Sequence, residues 1–473
     1  MTPGSDGADA LAAQVEAEVA ASIAPSAELL ARLAGAREHL VAAVSAAAER
    51  RGSPLLRAVV AGSAARETFL SDRLDIDLFL LFPPDLSDER LRDEGLALGR
   101  EVLERPTTRY AEHPYLRGVF EGFTVDAVPG FAITDPAHPR SPVDRTPFHQ
   151  AYLASRESPA TVREIRLTKQ FLRSLGVYGA EAKTEGFSGY LVELLVLEFG
   201  SFRGLLRAAR SWSIPRRLVP PEREPPGLPE QVALVLSDPV DPHRNVASAL
   251  SRQNLGTLVV SARAYLERPS RDWFVPRPPP TMTKEDGVRR ASERASHVTV
   301  VRLARPELVD DTLYPQLRKA ERSVADELAR AGFQLLGTAS SADPQGLVIA
   351  VELVARLRPA VRHRAGPPAG LDRAGDFLAT WPSGRSGVVQ GPYVLPDGRL
   401  AVETLESERE AESFLREIAP RLSLGKNLSS SSGFAVAPLG DTPSSPALSE
   451  ALRALLGKAL PWPDGARGEP TPR

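Results

Sequence analysis

The chain has 473 residues, 42% of them hydrophobic, and its 58 Lys and Arg nearly balance 60 Asp and Glu, giving a formal net charge of -2. This length predicts about two to four domains. The charge balance argues against a uniformly basic nucleic-acid coat but leaves room for a local basic face. The absence of cysteine excludes disulfides, zinc-thiolate sites and thiol nucleophiles. The seven histidines show no HxxxH spacing, so we expect no histidine metal site.

Both ends of the chain are predicted to be disordered. Residues 1–25 are rich in alanine and acidic side chains and lack the basic start and apolar core of a signal sequence. Residues 461–473 are polar and of low complexity. Because no run of about 18 apolar residues occurs, we expect a soluble, cytoplasmic protein with no membrane partner.

Residues 26–158 are predicted to form one α/β unit. Apolar side chains recur with a helical period from Ser26 to Arg51, and Gly52 is a typical C-terminal stop. The segments "LLRAVVAGS" and "DIDLFLLF" predict strands, 87–103 predicts a helix, and "GFTVDAVPGFAI" predicts a further strand.

Residues 159–276 are predicted to be mainly helical. "ATVREIRLTKQFLRSLG" has a helical pattern, and "FSGYLVELLVLEFGSFRGLLRAARSW" has leucines at period 3.6 with Arg203, Arg207 and Arg210 along one side. The loop "IPRRLVPPEREPPGLP" is too rich in proline for regular structure. "ERPSRDWFVPRPPPTMTKEDG" predicts a domain boundary.

Residues 277–460 are predicted to form an α+β module. "HVTVVRLA" and "GLVIAVELVARL" have strand patterns, and "YPQLRKAERSVADELARAG" has a helical one. The fold class predicted for the whole chain is therefore multidomain α+β.

The stretch "GSAARETFLSDRLDIDLFLLF" places Asp75 and Asp77 inside an apolar strand. Side chains alternate along a strand, so the two carboxylates project from one face. Buried carboxylates without partners are costly, and a divalent cation with hard-oxygen preference, such as Mg²⁺, is a natural partner. The pattern therefore indicates a magnesium site.

Further residues around this strand favour phosphate chemistry. Gly62 and Ser63 end a strand and open a helix, and the free N–H groups of a helix start bind phosphate. Arg66 adds a cation one turn later, and Asp126, in the later strand, adds a third carboxylate. A phosphate-binding turn with three acids indicates two-metal nucleotidyl transfer.

The same stretch resembles the nucleotidyltransferase signature of archaeal-type (class I) CCA-adding enzymes. "RYAEHPYLRGVFEGFTVDAVPGF", "SPVDRTPFHQAYL", "GVYGAEAKTEGFSGYLVELLVLEFGSF", "DPVDPHRNVASALSRQNL", "DTLYPQLRKA" and "SLGKNL" are similar to further segments of that family, in order, from about Gly62 to Asn427. The resemblance implies a polymerase-β-type nucleotidyltransferase head (26–158), a helical neck that binds the base and the tRNA end (159–276), and an α+β body and tail (277–460). It also implies a homodimer that adds C, C and A to tRNA 3′ ends from CTP and ATP, with two Mg²⁺ ions and no nucleic-acid template.

The resemblance also implies roles for individual residues. The catalytic, metal-binding carboxylates would be Asp75, Asp77 and Asp126, of which Asp126 would help activate the terminal ribose hydroxyl for attack on the α-phosphate. The triphosphate contacts would be Gly62, Ser63, Arg66, Thr146, His149, Lys169 and Tyr178. The incoming base would be bound by Arg244 and Asn245.

Contacts with tRNA are expected to be with its phosphates and shape rather than with its bases. Arg207, Arg210 and Lys426 are the candidates for these contacts. Two alternatives remain open: a relative that transfers a nucleotide to another RNA or to a small molecule, and a catalytically silent RNA-binding protein.

Overall fold

The computed structural model describes residues 5–110, 114–406, 410–428 and 433–463. The chain divides into two compact units, Met1–Arg277 with Leu460–Arg473, and Pro278–Ala459. In these described ranges we find no helix that is both long enough and apolar enough to span a membrane.

The first unit combines a five-stranded sheet with a helical region. Its helices and strands are α1 (Ser5–Ile23), α2 (Ala27–Arg51), β1 (Arg57–Ala61), α3 (Gly62–Arg66), β2 (Asp75–Phe82), α4 (Asp88–Val102), β3 (Glu104–Tyr110), β4 (Pro114–Phe120), β5 (Phe123–Phe131), α5 (Thr146–Ala154), α6 (Pro159–Ser174), α7 (Gly189–Phe199), α8 (Phe202–Ala209), β6 (Arg216–Arg217), β7 (Leu234–Val235) and α9 (Arg252–Glu267). Short 3₁₀ helices cover Pro142–Arg145, Pro221–Arg223 and Arg271–Phe274.

The sheet has the strand order β1-β2-β5-β4-β3. β2 and β5 run parallel, and β1 and β4 flank them in antiparallel pairing. Ile76, Leu78 and Leu80 point into the core, each at most 1% exposed. Because side chains alternate, Asp75 and Asp77 project from the opposite face of β2, as the sequence pattern predicts.

Local sequence signals set the ends of the helices that cover this sheet. The Ser26 hydroxyl accepts the Leu29 N–H at 3.1 Å at the start of α2, and Gly52 ends that helix with a left-handed φ of 61°. The Ser87 hydroxyl caps α4 by accepting the Arg90 N–H at 3.3 Å. A serine acceptor followed by a glycine stop gives helix ends that sequence can locate.

Helices α6 to α9 enclose an aromatic core. Phe171 and Phe202 meet edge to face with ring centroids 5.3 Å apart, and Trp273 stacks on Phe171 at 6.0 Å. The leucine-rich stretch is interrupted at Gly200, which has a left-handed φ of 76° and separates α7 from α8. The arginine side predicted from the helical period therefore lies on α8 alone.

The expectation of a disordered N-terminal tail over residues 1–25 is wrong for most of its length. Residues Ser5–Ile23 form α1, and its apolar face, which includes Val15 and Val19, is buried in the core of the helical region. The buried Glu16 accepts two hydrogen bonds from Arg203, at 3.1 and 2.6 Å, and one from the Tyr265 hydroxyl at 3.2 Å. The alanine-rich composition concealed this narrow stripe of larger side chains.

The C-terminal expectation of disorder over 461–473 is corrected at its first residues. Trp462 packs on Trp273 with ring centroids 5.9 Å apart and donates its indole N–H to the Ser261 hydroxyl at 3.0 Å. Residues 464–473 lie outside the described residues.

The second unit is an α+β module with two sheets. Its elements are α10 (Lys284–Glu293), β8 (His297–Leu303), α11 (Asp310–Arg330), β9 (Leu335–Asp343), β10 (Gly346–Leu353), β11 (Val361–Pro368), α12 (Arg373–Thr380), β12 (Val388–Val394), β13 (Arg399–Leu405), α13 (Ala411–Ile418), β14 (Ala435–Pro438) and α14 (Pro446–Leu456). The sheet orders are β14-β8-β10-β9 and β11-β13-β12.

Replacing Glu16 by alanine is expected to lower the free energy of unfolding of the first unit by about 2–3 kcal/mol, because Arg203 and the Tyr265 hydroxyl lose their buried acceptor. Urea denaturation followed by tryptophan fluorescence measures this loss. The matched control is Glu18→Ala on the same helix, where the exposed carboxylate lies 3.8 Å from Arg271 and its removal costs within about 0.5 kcal/mol. Equal effects of the two substitutions would contradict the role assigned to Glu16.

Candidate active site

Three carboxylates meet at one edge of the first sheet. Asp77 on β2 lies directly opposite Asp126 on the parallel strand β5, and Asp75 is the exposed first residue of β2. The exposed fraction of Asp126 is only 9%. The strand register therefore brings together the three acids that the sequence predicted.

Arg117 lies among these acids and was not predicted. It faces Asp126 across the antiparallel β4–β5 pair and donates Nε to Oδ1 at 2.8 Å and Nη2 to Oδ2 at 2.6 Å. The same Nη2 reaches the Asp75 carboxylate at 3.2 Å. Within the described ranges no group of three or more acidic or histidine side chains is arranged to hold a metal ion, and Arg117 supplies the positive charge at this edge.

The Asp77 carboxylate makes no side-chain hydrogen bond or ion pair in the part of the chain that the structure describes, whereas its backbone belongs to the sheet. Burial, together with the negative charges of Asp126 and Asp75, raises the pKa of Asp77 to about 7. The pKa rises because the charged form is removed from water and placed beside like charges. Arg117 and Arg66 act in the opposite direction but do not cancel the effect of burial and of the two neighbouring carboxylates on this pKa.

The turn from β1 into α3 passes very close to Asp77. Gly62 has a left-handed φ of 72°, and a Cβ at this position would lie 2.1 Å from Asp77 Oδ2. Glycine is therefore required here for both conformation and space. Ser63 follows as the second residue of α3, half-buried, so the turn predicted to bind phosphate lies directly beside the carboxylates.

The predicted triphosphate ligands Arg66 and Lys169 are engaged with buried acids. Arg66 donates to Glu193 and Gln150, and its Nε lies 3.2 Å from Glu157. Lys169, 1% exposed, donates to the Glu193 carboxylate at 2.8 Å. The two cations therefore belong to one buried charge network.

Glu193 is the centre of that network. It also accepts the Thr68 hydroxyl at 2.7 Å. Burial opposes its ionisation, but Lys169 and Arg66 hold the pKa of Glu193 below its ordinary value. Glu193 was missed at the sequence level, although a charged residue inside the apolar stretch "YLVELLVLEF" is the same kind of signal that drew attention to Asp77.

Two further predicted triphosphate ligands are Tyr178, in the loop between α6 and α7, and Thr146, at the start of α5. Tyr178 is half-buried, and a Cβ on Gly189 would lie 3.3 Å from its hydroxyl and 3.9 Å from Lys169 Nζ. The structure thus brings Tyr178 close to Lys169. Thr146 is the half-buried first residue of α5, the helix that also carries His149.

A second buried acid, Asp238, gathers His149 and Arg244. His149 Nε2 donates to its Oδ2 at 2.8 Å, Arg244 Nη1 donates to the same oxygen at 2.7 Å, and the Tyr190 hydroxyl donates to Oδ1 at 3.0 Å. Burial of Asp238 acts against ionisation, but the His149 contact and then the Val240 N–H and Arg244 lower its pKa to about 2. The sequence predicts no role for Asp238, although this residue lies in the segment "DPVDPHRN".

Asn245, the second predicted base-binding residue, uses its side-chain amide within its own loop. Its Nδ2 donates to the Leu234 carbonyl at 2.9 Å, and its Oδ1 accepts the N–H groups of Leu236 and Ala247 at 3.1 and 3.2 Å. The side chain is 8% exposed and bridges backbone segments. Both ends of the amide are used to build the loop that presents its neighbour Arg244, and a base-binding role for Asn245 stays a prediction.

The three candidates for tRNA contact are exposed side chains, two in the first unit and one in the second. Arg207 donates to Asp9 of α1 at 2.8 Å and stays 54% exposed. Arg210 is exposed at the end of α8. In the second unit, Lys426 is exposed in a turn that Gln316 fastens to α11, since Gln316 accepts the Asn427 N–H at 2.8 Å.

Comparison with known protein families divides the chain into three matched segments. Residues 43–149 match the nucleotidyltransferase domain, 163–275 match the second domain of tRNA nucleotidyltransferase, and 294–437 match the C-terminal domain of the CCA-adding enzyme. The three segments follow one another along the chain without overlap.

Individual relatives extend across most of the chain. The CCA-adding enzyme of Haloarcula marismortui is 39% identical over 376 residues, which are 76% of this chain and 80% of that protein. The chain belongs to the CCA-adding enzymes. The member of this family from Methanosarcina acetivorans is 35% identical over 85% of this chain and 89% of its own length. The member from Archaeoglobus fulgidus is 41% identical over 65% of this chain and 70% of its own length.

Family membership confirms several of the predictions made from sequence. The head is a nucleotidyltransferase domain of the polymerase-β type, within a multidomain α+β chain, and the protein is a tRNA nucleotidyltransferase. Membership does not test the role of any single residue, and the networks around Glu193, Asp238 and Arg117 come from the structure alone.

Replacing Asp238 by asparagine is expected to remove a pH-dependent part of the stability. Its folded-state pKa, about 2, lies below the ordinary value of 3.8, so the ionised form favours folding. That contribution, about 2 kcal/mol, is complete above pH 5 and is lost as the pH falls toward 2.

The free energy of unfolding in urea, measured for both proteins, checks this expectation. The difference between wild type and Asp238→Asn should shrink by about half between pH 5 and pH 3. A difference that stays constant with pH would contradict it.

Proposed function

We propose that this protein adds and repairs the 3′-terminal CCA of tRNA, using CTP and ATP and releasing diphosphate. The observation that carries the proposal is the pairing of Asp77 with Asp126 across parallel strands, directly beside the Gly62 turn, in a chain that belongs to the CCA-adding enzymes. A carboxylate cluster next to a phosphate-binding helix start is the arrangement that nucleotidyl transfer needs.

The donor chemistry at this edge suits a divalent metal, although the three carboxylates do not surround a metal position while Arg117 is bound to Asp126 and Asp75. Three carboxylates offer hard oxygen ligands of the kind Mg²⁺ prefers. Burial and then the charges of Asp126 and Asp75 raise the pKa of Asp77, and a bound cation would lower it. We propose that Asp75, Asp77 and Asp126 hold two Mg²⁺ ions once Arg117 releases Asp126 and Asp75. When bound, such ions would stabilise charge on the attacking and leaving oxygens.

The chain's own residues then have distinct tasks in the reaction. Asp126 accepts the proton of the terminal ribose hydroxyl as that oxygen forms a bond to the α-phosphorus and the bond to diphosphate breaks. Ser63, Thr146, His149 and Tyr178 surround the path of the triphosphate. In this proposal Arg66 and Lys169 do not bind the triphosphate directly but support the residues that do, because both already donate to Glu193.

Base reading is assigned to Arg244, whose guanidinium is about one-third exposed and held at one end by Asp238. Sequence-independent contact with the tRNA backbone is assigned to Arg207, Arg210 and Lys426. Homodimer formation and a cytoplasmic location stay predictions.

Purified protein with Mg²⁺ should add C, then C, then A to tRNA transcripts that end before the CCA, after C and after CC. Asp77→Ala is expected to abolish all three additions, because the carboxylate nearest the Gly62 turn is lost. Asp85→Ala, an exposed acid shortly after the same strand, should leave them intact. Wild-type protein that adds nothing to any of the transcripts would overturn the proposal and direct attention to other acceptors.

Arg117→Gln is expected to tighten metal binding to the protein without nucleotide. The substitution removes the cation that now neutralises Asp126 and Asp75, and a unit charge at such distances changes affinity by about tenfold or more even with strong screening. Mn²⁺ binding followed by electron paramagnetic resonance measures this directly. The control is Arg109→Gln on the neighbouring strand β3, an exposed arginine whose loss should change the affinity little. Unchanged Mn²⁺ affinity in Arg117→Gln would show that this ion pair does not compete with metal.

A further inference from the structure

The structure assigns to Asp238 a role as the positioning residue for base selection: it fixes the direction of Arg244, so that Arg244 accepts cytosine and adenine and rejects uracil and guanine. This inference rests on the proposed function and extends it to a residue that does not touch the nucleotide. It starts from the hydrogen bonds that meet at one fully buried carboxylate.

Arg244 is held by three hydrogen bonds, one from its side chain and two from its backbone. Its Nη1 donates to Asp238 Oδ2 at 2.7 Å, and its backbone carbonyl accepts the Asp238 N–H at 2.9 Å. Its own N–H donates to the Asp241 carbonyl at 3.0 Å, so the loop 238–244 closes on itself. The guanidinium is therefore anchored at one end and has no other side-chain partner in the part of the chain that the structure describes.

An anchored guanidinium can distinguish the four bases by their hydrogen-bonding pattern. Arginine offers only donors. Cytosine N3 and adenine N1 are acceptors, whereas uracil N3 and guanine N1 carry hydrogen and are donors. When the guanidinium is fixed in direction, its N–H donor faces the N3–H donor of uracil or the N1–H donor of guanine. Binding of these two bases is then unfavourable, because an unpaired donor in a desolvated site is costly.

Asp238 also connects Arg244, the proposed base-binding residue, to the part of the site assigned to the triphosphate. Its Oδ2 accepts His149 Nε2 from helix α5, and its Oδ1 accepts the Tyr190 hydroxyl from α7. The rings of His149 and Tyr190 lie with centroids 4.1 Å apart. One carboxylate thus sets the distance between the base reader and the phosphate side of the pocket.

Asp241, three residues along the same loop, provides a matched control. It is 1% exposed and accepts Arg145 Nη2 at 2.7 Å, so it also fastens the loop to the segment before α5. It makes no side-chain contact with Arg244. Loss of Asp241 therefore tests loop attachment without releasing the guanidinium.

The experiment compares wild type, Asp238→Asn and Asp241→Asn in single-nucleotide addition to a tRNA transcript that ends before the CCA. The readout is the ratio of kcat/KM for CTP to that for UTP, and the ratio for ATP to GTP on a transcript that ends in CC. We expect both ratios to fall about tenfold or more in Asp238→Asn and to stay at the wild-type value in Asp241→Asn. A merely structural role would lower all four kcat/KM values by a common factor and leave the ratios unchanged.

Unchanged ratios in Asp238→Asn, or equal losses in both variants, would overturn the inference. If wild-type protein adds nothing to tRNA, the proposed function fails, and the inference is then decided by calorimetric binding of CTP and UTP to the three proteins without tRNA. A CTP preference present in wild type and Asp241→Asn but lost in Asp238→Asn supports it, and any other pattern overturns it.

Discussion

The buried ion pairs of Glu193 are the constraint on which the catalytic unit depends. A carboxylate that is 2% exposed accepts hydrogen bonds from Arg66, Lys169 and Thr68, which come from α3, α6 and the loop before β2. Removing one partner of a buried pair typically costs about 3–5 kcal/mol, because the remaining charge is left uncompensated. The position of α3, and with it the Gly62 turn beside Asp77, is therefore set by a charge on α7.

The same helix also carries the link to the base reader. Tyr190 and Glu193 are one turn apart on α7, so they project from one face. Tyr190 reaches Asp238, and Glu193 reaches Arg66 and Lys169. A single rigid helix thus fixes both the phosphate side and the base side of the proposed nucleotide site. Since binding groups must be held closely to their working geometry, this shared support explains why Tyr190 and Glu193 occur in the largely apolar first turns of α7.

The part of the site that sequence could predict is the part governed by local rules. Strand alternation placed Asp75 and Asp77 on one face, and a serine and a glycine marked the ends of α2. No local rule predicts which side chains pair when they are far apart in the sequence. Arg203 pairs with Glu16, 187 residues away, and nothing in the local sequence of α1 indicates this contact. The Asn245 side chain is buried and hydrogen-bonds to backbone groups of its own loop, because buried backbone groups require partners. Nothing in the local sequence indicates these hydrogen bonds.

An acidic residue within an apolar stretch of sequence occurs twice in the site, and the two residues have different roles. Asp77 and Glu193 are both surrounded by hydrophobic residues, and burial acts to raise the pKa of each. For Glu193 the two buried cations Arg66 and Lys169 reverse this effect and lower the pKa. The Glu193 carboxylate therefore has its charge partners within the fold. For Asp77 no cation is paired with the carboxylate, the charges of Asp126 and Asp75 outweigh those of Arg117 and Arg66, and the pKa stays raised at about 7. Partners outside the chain are required only where the fold supplies none. The missing partner, rather than the burial, distinguishes the proposed metal ligand Asp77 from the structural acid Glu193.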